Sequence, residues 1–365
     1  MYIWQKEEWP DFTWVNDELF PMLAQAHREQ GRLRGKLETM GFETQDETTL
    51  RTLTEDVVKS SEIEGEKLNS DQVRSSIARR LGIDIGGLMP ADRHVEGVVE
   101  MMLDATQNYA APLTEERLFG WHAALFPMGR SGMRYIMVGH WRLEESDPMQ
   151  VVSGSGRREH IHYQAPPATR VPAEMERFLR WFNDPGDMDP LLIAGLAHLW
   201  YVTIHPFEDG NGRIARAIAD MALTRGEDSP QRSYSMSAQI RRELSEYYGM
   251  LETSQKDTLD ITPWQKWFLR CLNHAFDDAH ERLEEALRKA RFWDRFAREP
   301  LNERQIKVLH RVMDNWEGKL TSSKWAKIAK CSQDTAGRDI NDLIERGALS
   351  KDPGGGRSTS YSIVF

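Results

Sequence analysis

The stretch His205-Pro-Phe-Glu-Asp-Gly-Asn-Gly-Arg213-Ile-Ala-Arg216 gathers side chains suited to handling phosphate within a dozen residues. A histidine of ordinary pKa, ~6.5, is mostly neutral at pH 7 and can accept a proton. Glu208 and Asp209 offer hard oxygen ligands of the kind Mg²⁺ takes when it bridges phosphates. Gly210-Asn211-Gly212 can adopt backbone angles closed to larger residues, so successive N–H groups can turn inward as an anion nest. A helix starting directly afterwards adds its N-terminal partial positive charge, and Arg213 and Arg216, three apart, lie towards one side of it. A base, a metal ligand, a phosphate cradle and two cations are the parts needed for transfer from a nucleoside triphosphate. Two other readings compete. Gly210–Ala215 fits the GxGxxA dinucleotide fingerprint, but it follows a helical pattern and no βαβ alternation surrounds it. An αα corner explains the Gly-Asn-Gly turn alone and leaves the histidine, the acids and the arginines without a reason.

Such a loop needs rigid elements on both sides. Leu191–Ile204 (LLIAGLAHLWYVTI) is apolar nearly all round, as a helix at the centre of a bundle must be; it delivers His205 to its end, where Pro206 stops it. The chain around it, from Arg93 to Trp293, reads mostly as helix, closing with a long amphipathic helix from Thr262 to about Arg295. The exception is 126–172, rich in Gly, Ser and Pro, where Gln150-Val151-Val152, Ser153–Arg157 and His160-Ile161-His162-Tyr163 read as a β-hairpin. Ahead of the core, Trp4, Trp9 and Trp14 stand five apart, a spacing that suits neither helix nor strand and is read as an aromatic packing cap. A helix from about Glu47 to Glu64 ends at Gly65, the residue a helix C′ position prefers, and Asn69 or Ser70 caps the next. Residues 301–365 carry +3 against −13 for the remainder. Their helix patterns Thr321–Lys330 and Ser332–Arg346, turning at Cys331, precede two strands around Pro353–Arg357, the outline of a winged helix.

Composition excludes several classes. Of 365 residues 40% are hydrophobic and 28% charged, with a net charge of −10; disorder, collagen-like repeats and a generic polyanion coat do not fit. The two cysteines, Cys271 and Cys331, lie sixty apart without a CxxC partner, so no disulfide frame or metal clip is expected. No apolar run approaches the roughly 18 residues of a membrane span, and the N-terminus lacks the apolar stretch of a signal peptide. The expectation is a cytoplasmic protein with no membrane partner.

The stretch HPFEDGNGRIAR resembles the signature of the Fic family without a break. The resemblance implies a mainly α fold: a Fic-type helical bundle with a small β-hairpin flap, here followed by a C-terminal winged helix-turn-helix domain. The division expected is 1–92 for an N-terminal helical region with an inhibitory helix at about 47–65, 93–298 for the Fic core and 299–365 for the winged helix. It further implies a nucleotidyltransferase that moves AMP from ATP, with Mg²⁺, to a Ser, Thr or Tyr hydroxyl of a target protein or of itself. Carried over by position, His205 is the general base, Phe207 anchors the loop, Asp209 holds Mg²⁺, Gly210, Asn211, Gly212 and Arg213 bind the phosphates and Arg216 orients the γ-phosphate. Tyr247 and Tyr248 resemble the region lining the base. The hairpin resembles the family's flap, so Val151, Val152, His160, Ile161 and His162 are expected to dock a target segment by β-augmentation. Ser60-Ser61-Glu62-Ile63-Glu64-Gly65 is similar to the family's inhibitory motif. Acids in a last helical turn oppose the helix dipole and want a cation, and a two-pronged pair of Glu64 with Arg216 is expected to brake the transfer. His94, His122, His198, His274 and His280 are read as packing or surface residues. The alternatives are a DNA-binding regulator with a nucleotide-sensing core, motivated by the basic tail with Arg338, Arg346 and Arg357, or the same fold transferring UMP, phosphate or phosphocholine, or removing AMP. Pairing of two copies is expected because family members often dimerise.

Overall fold

The computed structural model describes residues 1–154, 160–256, 258–298, 300–315, 318–353 and 359–365. The expected tips of the flap and of the C-terminal hairpin, Arg357 included, lie outside the described residues. The chain divides into two compact units, Met1–His280 and Glu281–Phe365. Both are mainly helical with small antiparallel sheets, and among the described residues no helix is long and apolar enough to cross a membrane.

The first unit opens with a single 3-10 turn, then α1 (Asn16–Glu38), α2 (Phe42–Ile63), α3 (Ser70–Leu81), α4 (Arg93–Gln107) and α5 (Glu115–Leu125). Two short hairpins follow, β1 (Arg130–Ser131) with β2 (Arg134–Tyr135), and β3 (Gln150–Ser153) with β4 (His160–Gln164). The unit continues with α6 (Val171–Asn183), α7 (Pro190–Ile204), α8 (Asn211–Glu227), α9 (Met236–Arg242), α10 (Leu244–Ser254) and the first half of α11 (Thr262–Arg295). Local chemistry sets the helix starts. Asn69 accepts from the Asp71 and Gln72 amides, Asp92 from Val95, and Asp189 from Leu191, each satisfying donors that the helix cannot. α7 is buried from Leu191 to Ile204 save Ile193, and each fully buried Leu or Ile there contributes about 1.5–3 kcal/mol.

α2 begins at Phe42, earlier than the apolar repeat foretells, and is fastened to the bundle by charge. The buried carboxylate of Asp56 accepts from Ser235 Oγ and from the Ser237 amide, and it lies 3.9 Å from Arg232, which also pairs with buried Asp220 at 2.7 Å. Burial and the neighbouring Asp220 push the Asp56 pKa up, against the pull of Arg232.

The amino-terminal tryptophans act as anchors. The Trp4 indole donates to Gln164 O at the end of β4, the Trp9 indole donates to Glu174 on α6, and Trp9 packs edge-on against Trp200 of α7. Trp14 is only half-buried.

In the second unit, α11 ends at Arg295 and is followed by α12 (Glu303–Asn315), β5 (Leu320–Thr321), α13 (Ser322–Ala329), α14 (Gln333–Glu345), β6 (Leu349–Lys351) and β7 (Ser360–Ile363). Thr321 and Ser332 cap α13 and α14. The strands pair antiparallel in the order β5-β7-β6; β5, two residues long, was not expected from the sequence. Phe292, Leu309, Trp325, Ile340 and Leu343 lie at the centre of this unit's own core.

One close helix approach tests the packing. A Cβ on Gly97 of α4 would stand 1.7 Å from the Ala124 carbonyl oxygen of α5, whereas one on exposed Gly249 of α10 meets nothing within 4 Å. Gly97→Ala is expected to destabilise by at least ~1–3 kcal/mol, and Gly249→Ala to be neutral or stabilising by up to ~1 kcal/mol. Thermal unfolding of both variants checks this, and equal midpoints would contradict the packing.

Candidate active site

The site forms where α7 stops and α8 starts. His205 takes left-handed backbone angles (φ 52°), an uncommon conformation for a non-glycine residue that surrounding contacts must hold. Arg142 supplies them. This buried guanidinium donates to His205 O at 2.9 Å, to Asp147 Oδ1 at 2.6 Å and to Pro166 O, while the Arg142 amide donates to Pro206 O. Tyr163 of β4 donates its hydroxyl to Thr203 O, one turn back on α7. Gly210 (φ 81°) makes the reverse turn into α8, and the Asn211 side chain ties the loop shut, accepting from Phe207 N at 3.0 Å and donating to Phe207 O at 2.8 Å. That side chain is therefore committed to the loop itself. Phe207 is wholly buried, as expected of the loop's anchor, and stacks on His122 at 4.1 Å with the rings 10° apart.

His205 Nδ1 lies 3.2 Å from Val202 O. A carbonyl can only accept, so the proton sits on Nδ1 and Nε2 keeps its lone pair. Burial pushes the His205 pKa down to about 4, helped by the charge of Arg142, so the ring is neutral at physiological pH. Asp209 accepts from Ser131 Oγ of β1 and, at 2.5 Å, from the Gly210 amide. Glu208 points elsewhere and accepts from Ser146 Oγ.

The two arginines of α8 are almost fully buried, Arg213 at 1% and Arg216 at 2% exposure, and both reach acids just past α2. Arg216 donates to Ser60 Oγ (2.9 Å), Ser60 O (2.9 Å) and Glu64 Oε1 (2.7 Å). The two-pronged carboxylate pair expected from the sequence is thus a single-oxygen contact through Nη2, which Glu64 shares with Ser60 O, while Nε goes to Ser60 Oγ. Glu64 Oε1 lies so close over Gly212 that a Cβ there would stand 2.2 Å away. Arg213 donates to Glu66 Oε2 at 2.7 Å, and Glu66 shares that oxygen with His94 at 3.0 Å. Burial opposes the Glu66 charge, but His94 and Arg213 outweigh it and hold its pKa below the usual carboxylate range. Glu62 turns away, to Lys59. Glu66, His94, Ser131 and Arg130 line a cleft of about 510 Å³. Tyr247 is buried with its hydroxyl 2.9 Å from His198 Nε2, and Tyr248 donates to Ile63 O; both rings flank the end of α2.

The structure therefore brings together His205, Asp209, Gly210, Asn211, Gly212, Arg213, Arg216, Ser60, Glu64, Tyr247 and Tyr248. The flap residues Val151, Val152, His160, Ile161 and His162 lie on β3 and β4; Val151, Val152 and Ile161 are exposed, and the strand pairing carries a bulge between Val151 and Val152. Sequence reasoning missed three participants. Glu66, one residue past Gly65 in an acid-rich run, carried a faint signal; His94 was set aside as a packing or surface residue; Arg142 carried none, since beside the Asp147 carboxylate its side chain meets backbone carbonyls distant in sequence.

Comparison with known proteins agrees with this geometry. Residues 112–223 match the model of the Fic/DOC family, and residues 2–83 match a domain of unknown function, DUF4172. The protein adenylyltransferases Fic of Drosophila ananassae and Drosophila virilis are 28% and 27% identical over 221 residues, 59% of this chain but only 39% and 40% of theirs. The chain thus spans about two fifths of the length of the curated relatives it matches. Among solved structures, a Fic family protein from Desulfovibrio desulfuricans superposes with a TM-score of 0.56 at 20% identity, covering 97% of this chain and 98% of that one. A Fic domain containing signaling protein from Bacteroides thetaiotaomicron gives 0.52 at 23%, covering 71% and 97%. At such identities the structures speak for the fold alone. Fold, signature loop and family match converge: residues 112–223 carry the match to the Fic/DOC family, and the chain is similar to known Fic adenylyltransferases.

Proposed function

We propose that this chain transfers AMP from ATP to a hydroxyl of a protein side chain, and that the 60–66 segment at the end of α2 restrains the transfer. The observation that carries the reading is the contact of Glu64 Oε1 with Arg216 beside the α8 N-terminus. The target hydroxyl gives its proton to His205 Nε2, which the Nδ1 contact with Val202 keeps free and aimed. The hydroxyl oxygen bonds to the α-phosphorus as the bond from that phosphorus to its bridging oxygen breaks, and pyrophosphate leaves. Backbone N–H groups of 210–212 and the α8 N-terminus face the charge that develops. Asp209, a carboxylate at the mouth of this loop, fits the oxygen donor set of Mg²⁺, which when bound would neutralise polyphosphate charge. Arg213 and Arg216 would grip the terminal phosphates, but Glu66 and Glu64 hold both guanidinium groups, so ATP is received weakly or in an unproductive pose.

Glu64→Gly is expected to raise incorporation of α-labelled AMP into protein by roughly 5–150-fold, the usual range of a coupling free energy, with no incorporation of γ-label. His205→Ala in that background removes the gain. A Glu64 variant no more active than the parent would end the restraint hypothesis.

The base acts in its neutral form and its pKa is depressed, so activity is full above about pH 4 and lost only as pH falls through it. The kcat/KM of the Glu64→Gly variant should stay flat from pH 8 down to about pH 5.5 in its histidine-dependent limb, since removing the Glu64 charge lowers the pKa further. A limb centred near 6.5, the ordinary histidine value, would contradict the buried, Val202-bonded ring as base.

A second reading rests on the second unit, whose order of α12, β5, α13, α14, β6 and β7 is compatible with the outline of a winged helix. Lys307, Arg311, Lys324 and Lys327 line one concavity of about 750 Å³ there, an arrangement suited to phosphate backbone. If this unit binds DNA, a short duplex is retarded by the full chain at 50 mM salt and released by about 200 mM, and Lys307→Glu with Lys327→Glu abolishes the shift. Absence of any shift at low salt would remove the reading.

A further inference from the structure

We propose that His160, His162 and Glu252 form a binding site for a first-row divalent transition ion, zinc in type, that fastens the β3–β4 hairpin to α10. The two histidines are separated by one residue on β4, so both leave the same face of the strand; their rings meet edge to face with centroids 4.5 Å apart. Glu252 comes from the last turn of α10. One ligand atom from each of the three lies within 4.8 Å of the others. His162 Nδ1 is 2.6 Å from Glu252 Oε2, and His160 Nε2 is 3.6 Å from Oε1. Ligands of tetrahedral zinc, at bond lengths of about 2.0–2.1 Å, stand roughly 3.3 Å from one another, so a small rotation of these side chains, His160 exposed and the other two half-buried, suffices.

The surroundings suit ligation. Ser153 Oγ lies 2.6 Å from His162 Nε2. Its hydroxyl can accept the Nε2 proton, which frees the Nδ1 lone pair and aims it at the ion, as outer partners of metal-bound histidines do. Hydrogen bonds from Lys256 and His162 hold the Glu252 carboxyl at about 2, so it is ionised throughout the working range. Two imidazoles with one carboxylate suit zinc, cobalt, nickel or copper and not the all-oxygen preference of magnesium or calcium. Lys256 Nζ holds Glu252 Oε1 at 2.7 Å; this ammonium is the resident counter-charge that the ion displaces. The candidate catalytic residues are not used, and the inference stands independently of the AMP-transfer reading. It gives a mechanical link, because α10 also carries Tyr247 and Tyr248, which flank the end of α2, while β4 carries Tyr163, bonded to the last turn of α7.

The experiment uses the untagged full chain, stripped with a chelator and dialysed. Cobalt(II) titration followed by visible absorption, and zinc titration by calorimetry, should give one equivalent with the d–d bands of a four- or five-coordinate nitrogen–oxygen site. His162→Ala, His160→Ala and Glu252→Gln, all surface changes whose folding circular dichroism confirms, should each weaken binding at least ~10-fold, while His274→Ala leaves it unchanged. Zinc should also slow amide exchange in β3 and β4. A stoichiometry and affinity unaltered in the His160→Ala/His162→Ala double variant, or no saturable equivalent, would overturn the site; binding without slower exchange would overturn the fastening.

Discussion

Two guanidinium groups without solvent dominate this molecule. Arg213 and Arg216 sit on the first turns of α8 at 1% and 2% exposure, and a buried cation must be compensated or it costs several kcal/mol. Under the proposed function, a polyphosphate and the acids of 60–66 would be alternative answers to the same electrostatic demand. In the state described, the acids answer it, with Ser60 contributing both its hydroxyl and its carbonyl. Gly212 leaves the volume that Glu64 occupies, so the absence of one methyl group decides how closely the acid approaches α8. The pairing belongs to a fixed surface and not to a loose arm, since α2 is held to α8 and α9 through Asp56, Arg232, Asp220 and the two serines at the start of α9, Ser235 and Ser237.

The corner that presents His205 is built from substitutes for secondary structure. Where α7 ends, regular hydrogen bonding ends with it, and the freed carbonyls of Thr203, His205 and Pro206 are met by Tyr163 and Arg142. Asn211 performs the same service inside the loop. Each substitute is a side chain with several donors or a long reach, and each ties the loop to a different element: β4, the segment before β3, and α8. The imidazole is consequently positioned by the fold as a whole, with its tautomer set by one carbonyl on its own helix.

What the residue order made legible was whatever depends on neighbours in sequence. The all-round apolarity of α7, the cap at Asn69, the starts of α13 and α14 to within a residue, both ends of α11 and the turn at Gly210 follow from local chemistry and are found where expected. Features that depend on distant partners were hidden. Residues Glu43–Thr49 at the start of α2 are all polar, so no apolar repeat announces that stretch. Glu66 and His94 matter because a loop end happens to meet α4 and α8. Arg142 sits in a segment without periodicity, and nothing in its neighbours marks it as the clamp on a strained corner. The bond geometry at Glu64 was misjudged for a related reason, since the competition from Ser60 is a matter of side-chain reach across two elements.

The tryptophans at the start of the chain have a consequence for how the molecule can be taken apart. Trp4 closes on the carbonyl of Gln164, where β4 leaves the hairpin, and Trp9 closes on Glu174 of α6 and on Trp200 of α7. The backbone of Ile3 and Thr13 also bonds to Gln255 and Leu259, in the connection that leads from α10 to α11. The opening residues are thus mortar between the β3–β4 hairpin and the helices behind it, and excising the centre of the chain, residues 112–223, would strip the wall that hairpin leans on.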